Sequence, residues 1–263
     1  MLSKNHGLLR NYLRLRFVLL TSCFALALNG QTLKEIKSEG GARPLNEALE
    51  QIEDFFKAPV FYEEIAHENP ADLVSGSELG MNPNLRYLRL RNLDIPITQP
   101  PSLESAIADV LGTYHGSGLP GTYKTILLHN DIVAILPQTM MNKAGSTITV
   151  VPLLETNITL PAISRTRAET LEAIIDAMNV VSKRRINRLP LDPDVTRIVF
   201  GADHEPSGSV LSRLEEEFGP FTCHILYDPP TDQYYANFRW LPKPQPAIKP
   251  ALLKPNSWFT PSK

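Results

Sequence analysis

Residues 203–209 contain the side-chain types of a serine hydrolase. Asp203, His204 and Glu205 are consecutive, and Ser207 and Ser209 follow them. A catalytic triad needs a nucleophile, a base and an acid that converge from separate elements of the fold. Adjacent polar residues before a helix instead cap it, because its first turn carries partial positive charge. We therefore predict capping residues and no catalytic site, with an exported hydrolase of dispersed site as the alternative.

A second group of chemically able side chains consists of Glu64, His67, Glu68 and Asp72, with Glu63 beside them. A di-iron carboxylate site would need two Glu-x-x-His motifs and further glutamates, whereas here we find one such motif. We therefore predict neither a metal nor a cofactor. Residues 65–84 are instead interpreted as a long, solvated surface loop, and such loops are often functional. These four residues are the predicted contact region for a partner.

Gly116 to Gly121 matches the pattern G-x-G-x-x-G. A dinucleotide site needs that loop after a strand and before a helix, so that helix amides face the pyrophosphate. Here the loop follows a helical pattern and precedes a strand, with Pro120 inside it. We predict the end of a helix followed by a turn, and no bound nucleotide.

The N-terminal segment predicts export. Residues 4–16 contain four basic residues and no acidic one, and Phe17 to Leu28 forms an apolar run. This run is too short for the ~20 residues of a membrane span, so residues 1–30 are interpreted as a secretory signal peptide. A retained N-terminal anchor is the alternative. No later segment reaches spanning length, which leaves no transmembrane span once the signal is removed.

The two cysteines raise separate questions. Leu20-Thr21-Ser22-Cys23 resembles a lipobox, at which a lipoprotein is cleaved and acylated, but the apolar stretch before it is short and continues beyond Cys23. Plain secretion is favoured, and lipidation of Cys23 stays open. After signal removal Cys223 is the remaining thiol, and it is predicted to be a small buried side chain in a strand.

Hydrophobic periodicity predicts an α+β fold of two similar small modules, residues 31–140 and 145–241. In each, two amphipathic helices pack on short mixed or antiparallel strands. The first helices of the two modules follow Pro44 and Thr166, and Thr166-x-x-Glu169 is a capping box. The interpretation is of a repeat in pattern and not in identity.

The remaining segments concern partners. The net charge is −2, which gives no long-range attraction to nucleic acid or to an anionic membrane. The basic cluster Lys183-Arg184-Arg185 is interpreted as the solvated end of a helix, with an anionic partner patch as the alternative. Residues 242–263 contain six prolines and four lysines, and this tail is predicted to be disordered. An alternative is that it docks a partner through Trp258 and Phe259.

The first half resembles the short N-terminal module of secretins and TonB-dependent transducers. The matching stretches are Pro44-Leu45-Asn46-Glu47-Ala48-Leu49, Ser102 to Ile107 with Val110-Leu111-Gly112, and the predicted hairpin Tyr123 to Leu136. The resemblance implies a periplasmic, non-enzymatic α/β module that binds a neighbouring envelope protein. The second half resembles the same module less closely. We therefore expect a periplasmic or secreted protein that binds another envelope or extracellular protein, with a lipid-anchored accessory protein as a further alternative; its oligomeric state is left open.

Overall fold

The computed structural model describes residues 36–37, 43–89, 94–95, 102–188 and 195–242. The predicted signal peptide with Cys23, and the tail aromatics Trp258 and Phe259, lie outside the described residues. No helix in the described ranges has the length and apolar character needed to cross a membrane.

Side-chain caps mark the start of the second and third helices. Ser102 accepts a hydrogen bond from Ser105 N at the start of the second helix, and the predicted capping box Thr166–Glu169 is confirmed at the third. Lys57 and Lys183 end the first and third helices in the left-handed conformation. The α-helices are α1 (Pro44–Phe56), α2 (Leu103–Gly116), α3 (Arg167–Ser182) and α4 (Ser207–Phe218); the 3-10 turns are η1 (Pro70–Asp72), η2 (Gly76–Leu79), η3 (His129–Asp131) and η4 (Leu153–Glu155).

Most strands join one mixed sheet. Its order is β10-β13-β12-β2-β7-β6, and the seventh strand, β8, pairs with β7. The pairs β1–β5, β3–β4 and β9–β11 form small separate sheets. The strands are β1 (Ile36–Lys37), β2 (Val60–Glu63), β3 (Leu73–Ser75), β4 (Arg86–Leu88), β5 (Asp94–Ile95), β6 (Thr122–Leu127), β7 (Val133–Met141), β8 (Thr147–Thr149), β9 (Asn157–Thr166), β10 (Ile186–Arg188), β11 (Arg197–Pro206), β12 (Phe221–Asp228) and β13 (Gln233–Trp240).

The α+β class is confirmed, but the structure gives no evidence of two similar modules. β2, from the first half of the chain, lies between β7 and β12 and is parallel to both. Strand β12 comes from the second half, so both halves build the same sheet. Hydrophobic periodicity shows that a segment is a strand but not which strand it pairs with, and this is why two separate sheets were wrongly expected.

One hydrophobic core covers both halves. Phe61 on β2 packs against Phe221 on β12, with ring centroids 5.6 Å apart, and both side chains are fully buried. All four residues of β2 are buried, which is typical of a strand covered on both faces. Cys223 is buried in β12, as predicted.

Residues 65–84, which were predicted to be a structureless loop, form an ordered segment that we call the excursion. Residues 70–79 form η1, β3 and η2, and β3 pairs with β4. Asn69 caps η1 and Ser75 with Glu78 forms a capping box on η2, which satisfies backbone groups that a plain loop would leave to water. Ile65 and Val74 are buried, so this excursion packs onto the core. The prediction of a solvated loop was wrong because short turns of this kind have no hydrophobic period to detect.

A buried polar network fastens α1 to β12. The side chain of His224 lies with Nδ1 2.7 Å from Oδ1 of Asn46 and with Nε2 2.7 Å from Oε1 of Glu53. Arg239 on β13 donates to the other Glu53 oxygen and to Asp54, each at 2.6 Å. Glu53 is fully buried, and these contacts supply the partners that a buried carboxylate requires.

We expect His224→Ala to lower the free energy of unfolding by about 3–5 kcal/mol, because it removes a partner of the buried Glu53 carboxylate. Urea denaturation followed by circular dichroism measures this. The control is Asp54→Asn, which weakens a pair whose Asp54 side chain is 60% exposed and is expected to cost less than about 1 kcal/mol. Equal costs for the two variants would show that the buried network contributes little.

Candidate functional site

A small polar cavity lies beneath α1 and the excursion, and we call it the tyrosine cavity. Its volume is about 30 Å³, which is enough for one or two water molecules and too small for a metabolite. The segment after β2 and the excursion supply acidic groups and a histidine, and α2 and β6 supply tyrosines. The polar residues that line it are Arg43, Tyr62, Glu64, His67, Asp72, Arg89, Tyr114 and Tyr123.

Glu64 and Arg43 form the charged pair of this cavity. Arg43 Nε donates to Glu64 Oε2 at 3.0 Å, and Arg43 Nη2 donates to the Tyr227 carbonyl at 2.7 Å. The amide of Tyr227 donates to the same Glu64 oxygen at 2.8 Å. Burial raises the pKa of Glu64, and the nearby Arg43 opposes that rise. This carboxylate thus joins the start of α1 to the end of β12.

The tyrosines of the cavity are held in a hydrogen-bonded set. The hydroxyls of Tyr62 and Tyr123 lie 3.1 Å apart, and Ile65 N donates to the Tyr123 oxygen. The hydroxyl of Tyr114 donates to the Pro120 carbonyl at 2.8 Å. Burial raises the pKa of Tyr62 and of Tyr123 well above the ordinary value of tyrosine. Both hydroxyls therefore stay protonated near neutral pH and do not provide a base.

A larger opening lies between β7, β13 and the end of α3, and we call it the Glu63 cleft. Its volume is about 400 Å³, within the range of small-molecule sites. Glu63, at the end of β2, lies at its floor and is 2% exposed. The two oxygens of Glu63 accept hydrogen bonds from the amides of Leu153 and Leu154 at 2.8 and 2.9 Å. Burial raises the pKa of Glu63 to about 7, although these two donors oppose the rise.

The structure separates the predicted contact residues. Glu64, His67 and Asp72 converge on the tyrosine cavity, where Glu64 and Asp72 are buried and do not form a solvated acidic surface. Glu68 instead lies with Oε1 3.6 Å from Arg184 Nη1, at the Glu63 cleft side of the excursion. Within the described ranges, no three His, Cys, Asp or Glu side chains converge as a metal site would require. Contact of a partner with Glu68, or with the tail, stays a prediction.

The residues that raised the hydrolase alternative do not converge in the described part of the chain. Asp203, His204 and Glu205 belong to β11 and do not cap α4, so the capping prediction was wrong. The polar contacts of His204 reach Asn157 and Thr159, and Ser207 Oγ donates to the Leu153 carbonyl at 2.7 Å. β11 extends further than its alternating pattern indicates because pairing with β9 supplies the backbone hydrogen bonds.

The glycine motif is a helix end, as predicted. Helix α2 ends at Gly116 and β6 begins at Thr122. Gly121 has a φ of +74°, and a Cβ there would lie 2.5 Å from the Thr139 carbonyl oxygen. Its glycine is therefore explained by a left-handed turn and a close strand contact, without a phosphate.

Strands β9 and β11 form a separate ribbon, which we call the β9–β11 ribbon. Its register runs from Arg197 opposite Thr166 to Pro206 opposite Asn157, with bulges along β11. Three aliphatic side chains on or next to it are exposed: Ile163 by 51%, Val199 by 73% and Val195 by 90%. Sequence reasoning identified only short parts of these strands and missed the ribbon, because its pairing joins segments on either side of α3.

Sequence reasoning also missed Arg43 and Tyr234 as site residues, and it considered Glu63 only as a neighbour of the rejected metal site. One signal was available for Glu63, since an acidic residue directly follows the apolar run Val60-Phe61-Tyr62. A carboxylate at the end of a buried strand needs a partner, but the partner here is a pair of amides far along the chain. That partner has no local signature.

Comparisons of the chain with models of protein families, with curated proteins and with solved structures find no match. The function of the chain must therefore be inferred from its own residues. The tyrosine cavity and the Glu63 cleft hold their acids in internal hydrogen bonds, and the β9–β11 ribbon presents apolar side chains to solvent.

We expect a distinct pH dependence of stability from Glu63. Its pKa is about 7 in the folded chain against an ordinary 4.5, so the folded state binds the proton more tightly. The contribution of Glu63 to stability is therefore complete below about pH 4.5 and is lost as the pH rises through 7. Relative to Glu63→Gln, the native protein should lose about 2–3 kcal/mol of unfolding free energy between pH 5 and 8.

Urea denaturation at four pH values between 5 and 8 measures this difference. Glu155→Gln is the matched control, since Glu155 lines the same cleft but is partly exposed and ion-paired with Lys124. Parallel stability curves for the native protein and Glu63→Gln would contradict the assigned role of burial.

Proposed function

We propose that this chain is an exported, non-enzymatic protein of the bacterial cell envelope that binds another protein, and that the β9–β11 ribbon is its contact surface. The observation that carries this proposal is the exposure of Ile163, Val199 and Val195. Single exposed aliphatic residues are ordinary, whereas three of them on or next to one two-stranded ribbon, on both of its faces, favour a binding surface.

The backbone of the ribbon supports the same proposal. Within the described part of the chain, β9 and β11 pair only with each other, so each has an outer edge without a neighbouring strand. Such edges pair readily with an extended segment of another protein, in which main-chain hydrogen bonds give affinity and side-chain pockets give specificity. Pro161 on β9 and the bulges between Phe200 and Glu205 on β11 protect part of these edges. The regular stretch, residues 163–166 opposite residues 197–200, is the part that carries Ile163 and Val199.

The internal bonding of the buried titratable groups favours binding over catalysis. Glu64 accepts the Tyr227 amide, and His224 lies between Asn46 and Glu53. A nucleophile or base must be free to face a substrate, whereas these groups are engaged in holding elements together.

The cellular setting of the proposal comes from the sequence. Its basis is the basic and apolar N-terminal segment and the resemblance of the first half to the secretin and TonB short N-terminal module. The partner class is therefore an envelope or extracellular protein.

We expect Ile163→Ser combined with Val199→Ser to reduce capture of the partner by at least tenfold, because it removes an exposed aliphatic side chain from each face of the ribbon. The measurement is affinity capture from an envelope extract of the source bacterium, with quantitative mass spectrometry of the captured proteins. A photo-crosslinking residue at Val195 then identifies which captured protein touches the ribbon.

Leu127→Ser is the matched control, since Leu127 is an equally exposed aliphatic residue on β6. It should leave capture unchanged. Equal recovery with the ribbon variant and the native protein would exclude the ribbon as the contact surface. Deletion of residues 65–84 is unsuitable for such a test because Ile65, Ala66 and Val74 are part of the packed interior.

We expect the mature chain to begin near residue 30, as cleavage by signal peptidase predicts. Mass spectrometry of the N-terminal peptide of the protein recovered from the envelope measures this. A chain beginning at a diacylated Cys23 would favour the lipoprotein alternative, and an intact N-terminus would favour a retained anchor.

A further inference from the structure

The Glu63 cleft is lined by both apolar and polar side chains. Met140, Val150 and Val181 contribute to the apolar lining, and Glu63 and Tyr234 are buried polar residues of the same cleft. A volume of about 400 Å³ admits a molecule of several non-hydrogen atoms. A ligand that enters the cleft would therefore bury an apolar body and would meet a few polar groups.

One acidic residue of the cleft, Glu63, has no ion-pair partner among the described residues. Glu155 is paired with Lys124 at 2.6 Å, and Glu68 lies 3.6 Å from Arg184. Glu63 receives two backbone amides but no ion pair from the cationic side chains of the described residues. Each oxygen of a carboxylate can accept more than one hydrogen bond, so both retain capacity for a further donor. A cationic donor is the group that a buried, ionised carboxylate favours most.

Tyr234 provides a second polar side chain at the same cleft. It is only 6% exposed and it lines the cleft. A tyrosine hydroxyl can both donate and accept a hydrogen bond, so it can serve a group bound in the cleft.

We propose that the Glu63 cleft binds a small compound with one primary ammonium group and an apolar body. The ammonium has three donors, which suits the Glu63 carboxylate together with the Tyr234 hydroxyl oxygen. The apolar body packs against Met140, Val150 and Val181. The cleft reaches the β9–β11 ribbon at Asn157 but is not lined by Ile163, Val195 or Val199. The proposal goes beyond the proposed protein contact and does not depend on it.

The proposal implies competition between the ligand and protons. The ammonium binds ionised Glu63, whose pKa is about 7, so the carboxyl is largely ionised at pH 8 and largely protonated at pH 6. The other titratable or charged groups that act on it are Glu155 on η4, Arg184 after α3, Cys223 on β12 and Tyr234 on β13. Burial raises the pKa of both Cys223 and Tyr234, so both stay protonated over this interval.

Isothermal titration calorimetry of the purified protein tests the site with 2-phenylethylammonium as the probe. Its uncharged analogue 2-phenylethanol and its anionic analogue 3-phenylpropanoate have the same apolar body. At pH 8 the ammonium should bind at least tenfold more tightly than either analogue. Its affinity should fall about tenfold at pH 6, in proportion to the ionised fraction of Glu63.

Two variants assign the binding to these residues. Glu63→Gln should remove the preference for the ammonium and its pH dependence, and Tyr234→Phe should weaken binding several-fold. Tyr235→Phe, the next residue on β13, is the matched control and should bind as the native protein does. If Glu63→Gln does not fold, as judged by circular dichroism, Tyr234→Phe and the pH dependence decide the question.

Equal binding of the ammonium and 2-phenylethanol would overturn the proposed charge recognition. The absence of ammonium binding at about 10 mM, or unchanged ammonium binding by folded Glu63→Gln, would overturn the site itself. None of these three results bears on partner capture through the ribbon.

Discussion

The parallel pairing of β12 with β2 is the contact on which the rest of the fold depends. It places Cys223, His224 and Ile225 opposite Phe61, Tyr62 and Glu63, and so joins segments that are more than half the chain apart. Bringing such distant segments together reduces the conformational entropy of the chain. The apolar packing around Phe61 and Phe221, and the polar contacts on both sides of the strand pair, offset this loss.

Three buried acids follow the same rule in different places. Glu53 contacts His224 and Arg239, Glu63 contacts the amides of η4, and Glu64 contacts Arg43 and the amide of Tyr227. Arg43 and Glu64 are 21 residues apart, and each of the other contacts joins residues at least 90 apart in sequence. A buried carboxylate without its partners is costly, so these groups favour one arrangement of helices and strands over others that the hydrophobic pattern alone would permit. These acids therefore act mainly by disfavouring other arrangements of the helices and strands. Among the three, Glu63 is the one that lines a cleft of about 400 Å³, large enough for a small molecule.

The β9–β11 ribbon differs from the buried acids because it presents side chains to solvent. It lies outside the mixed sheet, and Gly201 allows its strands to approach closely, since a Cβ there would lie 2.8 Å from Ala162 Cα. Ile158, Leu160 and Phe200 are buried, whereas Ile163, opposite Phe200, and Val199, opposite Ser164, are exposed on the two faces of the ribbon. The cost of exposed aliphatic side chains is understandable if the ribbon is covered in a complex.

Local chemistry in the sequence determined the α+β class, the four helices of the described ranges, the capping box Thr166–Glu169, the end of α2 at Gly116 and the hairpins on either side of residues 130 and 230. These features depend on neighbouring residues, so period and turn chemistry reveal them. Only the tertiary structure decided that both halves share one sheet, that Glu64 and Asp72 are buried, and that β9 pairs with β11 across α3. Strand order and burial depend on contacts between distant residues, whose energies no local pattern records.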